Sequence, residues 1–273
     1  MRRKIVIHPG FHKTGTTTLQ KTLRANGRLL WPVMAIGLRH QLEPTLQASR
    51  AYSTWGNRLS LIKFRRRFSR YIQSLDLGEK RRLCISSEEL AGHLPGRGKI
   101  VDYGALPQLM KTMSRVLERR LGPDIDLSFF ITTRAPGDWL RSAYWEHVKS
   151  AHMQLDFTDF RTRYAAASDH GPIIEALRRA VAPHQVVTAP LERCNGLRLG
   201  PADPLLDMLD IPDWRRRKLV PQAPRNAFRG DEVLQALLEI NRTTGSSDEA
   251  RPLKQAYLAE LDNEHSAKGA SAP

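Results

Sequence analysis

The fold of this protein is decided near its amino terminus by the stretch Ile5-Val6-Ile7-His8-Pro9-Gly10-Phe11-His12-Lys13-Thr14-Gly15-Thr16-Thr17-Thr18-Leu19-Gln20. A short apolar run leads into a glycine-containing turn, and a helix with hydroxyl side chains in its first turn follows. The start of a helix presents unpaired backbone N–H groups and a partial positive charge, and Gly15 lets a ligand approach the backbone closely. Together with the charge of Lys13 and the hydroxyls of Thr16 and Thr17, this stretch predicts an anion-binding loop.

The glycine spacing resembles that of nucleotide triphosphatases, but one required residue is missing. Gly10 and Gly15 have the spacing of that motif, yet Thr16 stands where the motif requires lysine. The lysine lies instead before the second glycine, as Lys13. Kinases and ATPases need that lysine on the β- and γ-phosphates and a hydroxyl on magnesium, so the departure argues against triphosphate chemistry. A terminal phosphate beside a transferring group fits the loop better.

Strand-like and helix-like segments alternate along the chain. The predicted strands are Lys4–His8, Arg82–Ser86, Leu127–Thr133 and Gln185–Thr188. The predicted helices are Thr16–Ala25, Leu59–Leu75, Leu106–Leu121, Gly137–Ser150, Pro172–Val181 and Asp231–Asn241. This alternation predicts an α/β fold in which helices cover a central parallel sheet. We expect one domain over residues 1–265 and a small, polar, flexible tail at 266–273. Within the domain, residues 27–80 form an Arg-rich helical insertion of the kind that builds substrate sites in α/β enzymes.

A second segment adds another anion-binding group. The apolar strand Leu127–Thr133 ends at Arg134, and a helix begins directly afterwards. Arg134 has a planar guanidinium fork that suits a phosphate dianion, and Ser142 lies about two turns along the helix. An ion pair between Arg134 and Asp138, with a solvated Ser142, is the ordinary alternative. Combined with the loop, the segment favours a second phosphate-binding point.

Both segments resemble the sulfotransferases that use 3'-phosphoadenosine-5'-phosphosulfate (PAPS). The loop of that family reads Lys-(Ser/Thr)-Gly-Thr-Thr, as residues 13–17 do here. The family also has an arginine at a strand end and a serine eight positions later, as Arg134 and Ser142 are. The resemblance implies a P-loop-type, three-layer α/β/α fold with PAPS as the sulfuryl donor and no metal.

The resemblance further implies the roles of individual residues. Lys13 would hold the bridging oxygen and stabilise the leaving phosphate. The groups around the 5'-phosphate would come from Lys13, Thr14, Gly15, Thr16, Thr17 and Thr18. Arg134 and Ser142 would bind the 3'-phosphate, which distinguishes the donor from ATP. Asn226 and Arg229 lie where sulfotransferases often close over the donor, although this segment departs from the Arg-Lys-Gly form of many members. A plain surface loop is the alternative there.

Transfer to a hydroxyl or amine requires a base near Lys13. Glu88 is the first candidate, because the strand Arg82–Ser86 would place it at the carboxyl edge of the sheet, where open α/β sheets bind ligands. The resemblance supports a glutamate in part, since many bacterial sulfotransferases carry a Ser-Ser-Glu segment after a strand. The other candidates are Glu89, His12, His147 and His8. An acid at the start of a helix that complements the helix dipole is the ordinary alternative for both glutamates.

The charge of the chain indicates anionic partners. The formal net charge is +15 and the pI is about 10.3, so the surface attracts phosphate, sulfate, nucleic acid or anionic lipid. The basic clusters are Arg65-Arg66-Arg67, Arg81-Arg82, Arg119-Arg120, Arg178-Arg179 and Arg215-Arg216-Arg217-Lys218. Such scattered clusters are typical of solvated faces, and the sequence has neither a zinc-finger pattern nor an aromatic sheet signature. We therefore expect no specific nucleic-acid partner.

Cysteine usage and hydropathy indicate the compartment. Two cysteines, Cys84 and Cys194, imply no disulfide framework. No run approaches the roughly 20 apolar residues that span a bilayer. We expect a soluble, cytoplasmic protein whose acceptor is a small molecule, a glycan or a lipid headgroup, with peripheral membrane contact through the basic surface as a further expectation.

Two other functions are compatible with parts of the sequence. One is a P-loop nucleotide kinase, and the other is a non-catalytic protein that binds anions or nucleic acid through a vestigial loop. Magnesium separates the first from a sulfotransferase, because kinases depend on the metal. Strongly salt-dependent binding to long polyanions, without binding to a small nucleotide, would favour the second.

Overall fold

A computed structural model describes residues 2–78, 82–122, 124–223 and 228–270, the last seven of them by their backbone alone. The strands of this described part are β1 Arg3–His8, β2 Ala35–Gly37, β3 Arg82–Ser86, β4 Ile125–Thr133 and β5 Gln185–Pro190. Its α-helices are α1 Thr16–Ala25, α2 Gly27–Leu30, α3 Arg39–Trp55, α4 Arg58–Ser74, α5 Leu106–Leu121, α6 Pro136–Ser150, α7 Phe157–Ser168, α8 Gly171–Val181, α9 Leu191–Cys194, α10 Ala202–Met208, α11 Asp213–Arg216, α12 Asp231–Thr243 and α13 Ser247–Ala270. A short 3-10 helix, Glu88–Ala91, follows β3.

The strands form one parallel sheet in the order β2-β3-β1-β4-β5. In the register of the central strand, Ile5 lies beside Leu83 of β3 and Leu127 of β4. Parallel sheets covered on both faces read as continuous apolar runs, which is why these short segments are recognisable in the sequence. The predicted α/β fold with a central parallel sheet is confirmed.

Helices cover both faces of the sheet. Val6, Cys84 and Phe130 belong to one buried cluster with residues of α1 and α10, such as Leu19 and Leu205. Since successive side chains of a strand point to opposite faces, the residues next to these in each strand face the other side. There α5 contacts β4, and α4 and α8 contact α5. The sheet is therefore the middle layer of three.

Most predicted elements are present, and the unpredicted elements lie both within residues 27–80 and after residue 150. β3, α1 and α5 have the predicted bounds, whereas β2 and α3 were not predicted. Residues 27–80 thus contain one strand of the sheet as well as helices. At the other end, α13 extends to Ala270, so residues 266–270 of the predicted tail are helical, and 271–273 lie outside the described residues.

The chain folds into two compact units, with the boundary inside α6. The first unit comprises Met1–Trp139 and Tyr164–Asn226 and contains the sheet. The second comprises Leu140–Arg163 and Ala227–Pro273. The single domain inferred from the sequence stays a prediction.

The second unit is held together by a buried lysine. Lys254 on α13 is 4% exposed, and its ammonium donates to Val148 O at 3.0 Å, Ala151 O at 2.6 Å and Asn241 Oδ1 at 2.9 Å. Asn241 on α12 in turn donates to Val148 O at 2.9 Å and to Met153 O at 3.0 Å. Burial lowers the pKa of Lys254. All three hydrogens of the ammonium are used, so this cation links the end of α6 with α12 and α13.

Candidate active site

Three adjacent strands deliver the candidate residues to one edge of the sheet. β1 is followed by the loop Pro9–Gly15, β3 by Glu88 and β4 by Arg134. β3, β1 and β4 are neighbours and parallel, so their carboxyl ends lie at the same edge. Ligands of open α/β sheets bind at this edge. Residues that are far apart in the sequence are therefore brought together around the loop.

The loop has an unusual backbone. Gly10, Lys13 and Gly15 have φ angles of 80°, 66° and 90°, which lie in the left-handed region. α1 begins at Thr16, and its described residues include no acidic side chain in the first turn and no side-chain cap. The positive end of the helix is therefore not compensated within the helix. The uncompensated start of α1 attracts an anionic ligand. The strained backbone of Lys13 is of the kind found at ligand-binding sites.

A buried chain of hydrogen bonds joins three strands to the loop. His8 Nδ1 lies 2.8 Å from Ser86 Oγ, and His8 Nε2 lies 3.4 Å from Thr132 Oγ1. Thr132 Oγ1 lies 2.7 Å from Thr14 Oγ1, which donates to Phe11 O at 2.7 Å. Because a hydroxyl has one hydrogen and a carbonyl only accepts, Thr132 donates to Thr14 and His8 Nε2 donates to Thr132. Ser86 then donates to His8 Nδ1. All the hydrogen bonds of this series therefore donate in the same direction, from Ser86 toward the carbonyl of Phe11.

His8 is consequently neutral, with its proton on Nε2. Burial lowers its pKa to about 4, against an opposing influence of the Glu88 carboxylate. The ring is fully buried and both of its nitrogens take part in the chain. His8 therefore positions the loop, and its geometry does not suit a base.

His12 and Tyr103 form a second set of contacts. The backbone N–H of His12 donates to Tyr103 Oη at 3.3 Å, and His12 Nδ1 lies 3.3 Å from the same oxygen. Burial holds the pKa of Tyr103 well above its usual value, so the hydroxyl keeps its hydrogen. Donation of that hydrogen to Nδ1 satisfies the buried hydroxyl. Trp139 Nε1 donates to His12 O at 3.0 Å and fixes the loop from the other side.

An aromatic group supports the loop. The rings of Phe11 and His170 are stacked with centroids 4.2 Å apart, and Trp139 meets His170 edge-on at 5.6 Å. Phe11 also contacts Tyr103 at 4.6 Å. Burial lowers the pKa of His170 to about 4, and its Nε2 has no hydrogen-bond partner among the described residues. His170 acts here as an uncharged aromatic ring.

The two candidate glutamates face different surroundings. Glu88 is half-buried and accepts from Gln20 Nε2 of α1 at 2.7 Å. A Cβ atom placed on Gly10 would lie 2.9 Å from Glu88 Cα, so the loop and Glu88 are in close approach. Glu89, in contrast, pairs with Arg50 at 2.6 Å and Arg39 at 3.3 Å. Glu88 lies beside the loop, whereas Glu89 ties the 3-10 helix to α3.

The pKa of Glu89 is raised. Burial raises its pKa, although Arg50 and Arg39 act in the opposite direction. Its carboxylate is only 16% exposed and is held by both guanidinium groups. A carboxylate engaged in this way has a structural role.

Arg134 reaches the loop from β4. Its Nη1 donates to Lys13 O at 3.2 Å, and the next residue, Ala135, donates its N–H to Glu192 Oε1 at 2.9 Å. No ion pair joins Arg134 to Asp138, both of which the structure describes. Arg134 is half-buried, as are Thr17 and Thr18 on α1. The guanidinium of Arg134 thus contacts the backbone of the loop at Lys13.

Three predicted residues lie in the second unit. Ser142 is half-buried on α6, and His147 on the same helix is buried with its ring 5.8 Å from that of Phe160. Arg229 pairs with Asp262 at 2.9 Å. The donor-site roles of Ser142 and Arg229 and the role of His147 as a base stay predictions, and Asn226 lies outside the described residues.

The sequence interpretation missed several residues of the site. Gln20, Thr132, Trp139 and Tyr103 all contact the loop or Glu88. The first three lie inside segments that were recognised, so their place next to the motifs was a usable signal. Tyr103 lies in an irregular segment before α5, where a lone aromatic residue gives no periodic signal.

The described residues contain neither a candidate membrane span nor a candidate metal cluster. No helix there is both long and apolar enough to cross a membrane. No group of three or more His, Cys, Asp or Glu side chains in that part of the chain is arranged to hold a metal ion.

The chain is similar to a solved structure but matches no protein-family profile. No protein-family profile and no curated protein matches the sequence. Among solved structures, the crystal structure of a sulfotransferase from Alicyclobacillus acidocaldarius is similar, with 13% identity, coverage of 93% of this chain and 96% of that chain, and a TM-score of 0.47.

Proposed function

We propose that this protein is a sulfotransferase that moves a sulfuryl group from PAPS to a hydroxyl or amine acceptor on a small molecule, a glycan or a lipid headgroup. One observation carries the proposal. Lys13 is held in the left-handed conformation beside the uncompensated start of α1, and Arg134 from the neighbouring strand donates to its carbonyl. The arrangement concentrates positive charge where a phosphosulfate would bind.

The residues present fit such a donor. The first-turn N–H groups of α1, with the half-buried Thr17 and Thr18, would hold the 5'-phosphate. Arg134 offers a guanidinium fork for the 3'-phosphate. When bound, PAPS supplies the sulfur that forms a bond to the acceptor oxygen or nitrogen while the bond to the bridging oxygen breaks. Lys13 would stabilise the negative charge that develops on that oxygen.

Glu88 is the proposed base. It lies beside the loop and has a single described hydrogen bond, from Gln20, so its carboxylate retains capacity to accept a proton. Glu89 is engaged by two arginines, and His8 uses both ring nitrogens. His12, whose Nδ1 lies 3.3 Å from Tyr103 Oη, is the alternative base.

Calorimetry in magnesium-free buffer tests the donor. We expect 3',5'-adenosine bisphosphate to bind at least about tenfold more tightly than 5'-AMP or ATP, because only the bisphosphate engages both phosphate points. Arg134→Ala should weaken bisphosphate binding while leaving AMP binding nearly unchanged. Arg24→Ala, which removes an exposed arginine at the far end of α1, is the matched control.

The opposite outcomes identify other functions. Tight ATP binding that depends on magnesium would make the protein a kinase. Failure to bind any of the three nucleotides, together with salt-dependent binding of polyanions, would make it a non-catalytic anion-binding protein.

A further inference from the structure

A basic groove lies between two helices of the first unit. α4 leads to the amino end of β3 and α5 to the amino end of β4, so the two helices run side by side in the same direction. Two cavities of about 310 and 330 Å³ follow their junction and share Arg65, Val116 and Arg119 as lining residues. We call these adjoining cavities the α4–α5 groove.

The α4–α5 groove carries an unusual concentration of charge. Its lining includes the exposed arginines Arg58, Arg65, Arg66, Arg70, Arg115, Arg119 and Arg120. Within the described residues, none of them forms an ion pair with a carboxylate. Glu118, the acidic residue of α5, is directed to His184 Nε2 at 2.9 Å. The groove therefore has many cations and no anion to compensate them.

These arginines are exposed, as the sequence led us to expect, but the fold gathers them in one place. Arg65 and Arg66 are far from Arg119 and Arg120 in the chain, but the fold places them along one groove. Seven like charges in one place repel each other, and an anionic ligand would remove that cost. Arg120 is already oriented by a hydrogen bond from its Nε to Ser69 Oγ at 3.0 Å. The groove has the properties of a built anion site.

The length of the α4–α5 groove favours an extended ligand. Arg58 and Arg70 are twelve residues apart on α4, which corresponds to about 18 Å along the helix. A single phosphate or sulfate would contact only a few of the guanidinium groups. A chain with repeated negative charges would contact most of them, with the bidentate geometry that arginine offers to sulfates and carboxylates.

The lining also restricts the chemical class of that chain. The apolar residues of the groove are Leu61, Ile62 and Val116, and none of its lining residues is aromatic. Single-stranded nucleic acids are normally held by base stacking on aromatic rings, which the groove does not offer. The side-chain amides of Gln73 and Gln108 suit a ligand rich in hydroxyls, whereas Ser69 accepts from Arg120 and Thr112 donates to Gln108 O. A flat bilayer surface does not fit a concave groove.

We infer that the α4–α5 groove binds a linear anionic polysaccharide. No lining residue of the groove belongs to the Pro9–Gly15 loop or its contacts, so the inference does not depend on the proposed function. The site would hold the chain by salt-sensitive contacts along both helices, with one anionic group between each pair of facing arginines.

Titration calorimetry with a sulfated octasaccharide prepared from heparin tests this inference. The groove variant is Arg65→Gln with Arg119→Gln, which removes the two arginines common to both cavities. The matched control is Arg178→Gln with Arg179→Gln, which removes the same charge from exposed positions of α8. Maltooctaose serves as the uncharged ligand, and a thymidine octanucleotide serves as the competing polyanion.

We expect the groove variant to lose about tenfold or more in affinity for the sulfated octasaccharide, and the control variant less than about threefold. Maltooctaose should not bind measurably. Equal losses in both variants would show that net charge alone attracts the glycan, and no loss in either would place the binding elsewhere; both outcomes overturn the inference. So would thymidine octanucleotide binding that is as tight as glycan binding and equally sensitive to the groove variant, since the site would then be a nucleic-acid site.

Discussion

At the scale of single residues, the backbone of Lys13 is the clearest sign of a constraint imposed by function. Its φ of 66° lies in a region that costs an L-residue about 1 kcal/mol or more. The turn could be made at lower cost by glycine, which stands at the two other left-handed positions of the loop, Gly10 and Gly15. A lysine at such a position is explained by its charge.

Replacing Lys13 separates stability from activity. We expect Lys13→Gly and Lys13→Ala both to lower turnover about 100-fold or more, because each removes the cation beside the leaving group. Lys13→Gly should nevertheless be more stable than Lys13→Ala by about 1 kcal/mol, since glycine relieves the left-handed strain. Urea unfolding and release of 3',5'-adenosine bisphosphate from PAPS, with a pool of hydroxyl and amine acceptors, measure the two effects. Lys21→Ala on α1 is the control, and normal turnover without Lys13 would refute the mechanism.

Glu88 and Glu89 are neighbours in the sequence with different tasks. One accepts a hydrogen bond from Gln20 beside the loop, and the other is held by Arg50 and Arg39. Substitution by glutamine removes the charge at nearly constant volume, so it distinguishes a proton acceptor from a partner in an ion pair.

The two substitutions should therefore have opposite signatures. Glu88→Gln should lower kcat about 100-fold and change the free energy of unfolding by less than about 0.5 kcal/mol. Glu89→Gln should lower the free energy of unfolding by about 1 kcal/mol, because Arg39 loses its carboxylate partner and Arg50 keeps only Glu43, and should leave kcat less affected. Donor binding by Glu88→Gln should be normal in calorimetry. A fully active Glu88→Gln enzyme would make His12 the next base to test.

At the scale of elements, the site depends on the close packing of two strand ends. The loop after β1 passes the first residue of the 3-10 helix after β3 so closely that a side chain at position 10 would meet backbone atoms. Backbone atoms cannot rotate away, unlike the end of a flexible side chain. The distance between the loop and Glu88 is therefore set by the absence of a Cβ atom at Gly10.

Gly10→Ala tests this packing against a glycine of similar conformation. Gly56 has a φ of 60° and no atom within 4 Å of an added Cβ, so Gly56→Ala should cost only backbone strain of about 1 kcal/mol. Gly10→Ala should cost about 2 kcal/mol more, since the loop and β3 must also move apart. Thermal or urea unfolding of both variants measures the difference. Equal losses would mean that the loop adapts freely.

The elements that the sequence predicted well are those with a strong local signal. α1, α5 and β3 have long apolar periodicities or a continuous apolar run, and their bounds agree with the structure. β2 has three residues, too few to show any pattern. α3 contains Pro44 in its second turn, where proline removes a helical hydrogen bond, so the sequence reads as a break there. Tertiary contacts determine whether β2 and α3 form, and these contacts cannot be inferred from a single sequence.

The residues of the site were likewise predicted where their signal is local and missed where it depends on tertiary contacts. The loop and Arg134 were predicted because their chemistry is local, and the structure brings them together. Glu88 was the first candidate from its place after β3, but the ion pairs of Glu89 with Arg50 and Arg39 of α3 could not be read from the sequence. Tyr103 could not be found either, because its contact with His12 joins residues 91 positions apart.

At the scale of the whole molecule, two buried histidines make stability depend on pH. Burial lowers the pKa values of His8 and His170 to about 4 from an ordinary value of 6.5. The unfolded chain therefore binds protons at these positions between pH 6.5 and pH 4, whereas the folded protein does not. Their contribution to stability is complete above pH 6.5 and is lost progressively as the pH falls toward 4.

The free energy of unfolding should fall by about 2 kcal/mol for each of these rings between pH 7 and pH 5. His170→Phe keeps the aromatic stack and removes one titrating group, so its decrease over this range should be smaller by that amount. His40→Gln, at an exposed position of α3, is the control and should follow the unmodified protein. Urea unfolding at a series of pH values measures the effect. An unchanged pH dependence in His170→Phe would contradict the assignment.

Because Trp139 contacts the loop, its intrinsic fluorescence reports on the conformation of the loop. The indole of Trp139 is fully buried and hydrogen-bonded to the carbonyl of His12, so any rearrangement of the loop alters the surroundings of this fluorophore. Exposed indoles are found at Trp31, Trp55 and Trp214. Their emission can be suppressed by a collisional quencher such as acrylamide, which reaches buried rings poorly. The remaining light comes from Trp139 and the buried Trp145, and Trp145→Phe isolates the first. Occupancy of the loop can then be followed in real time without a label.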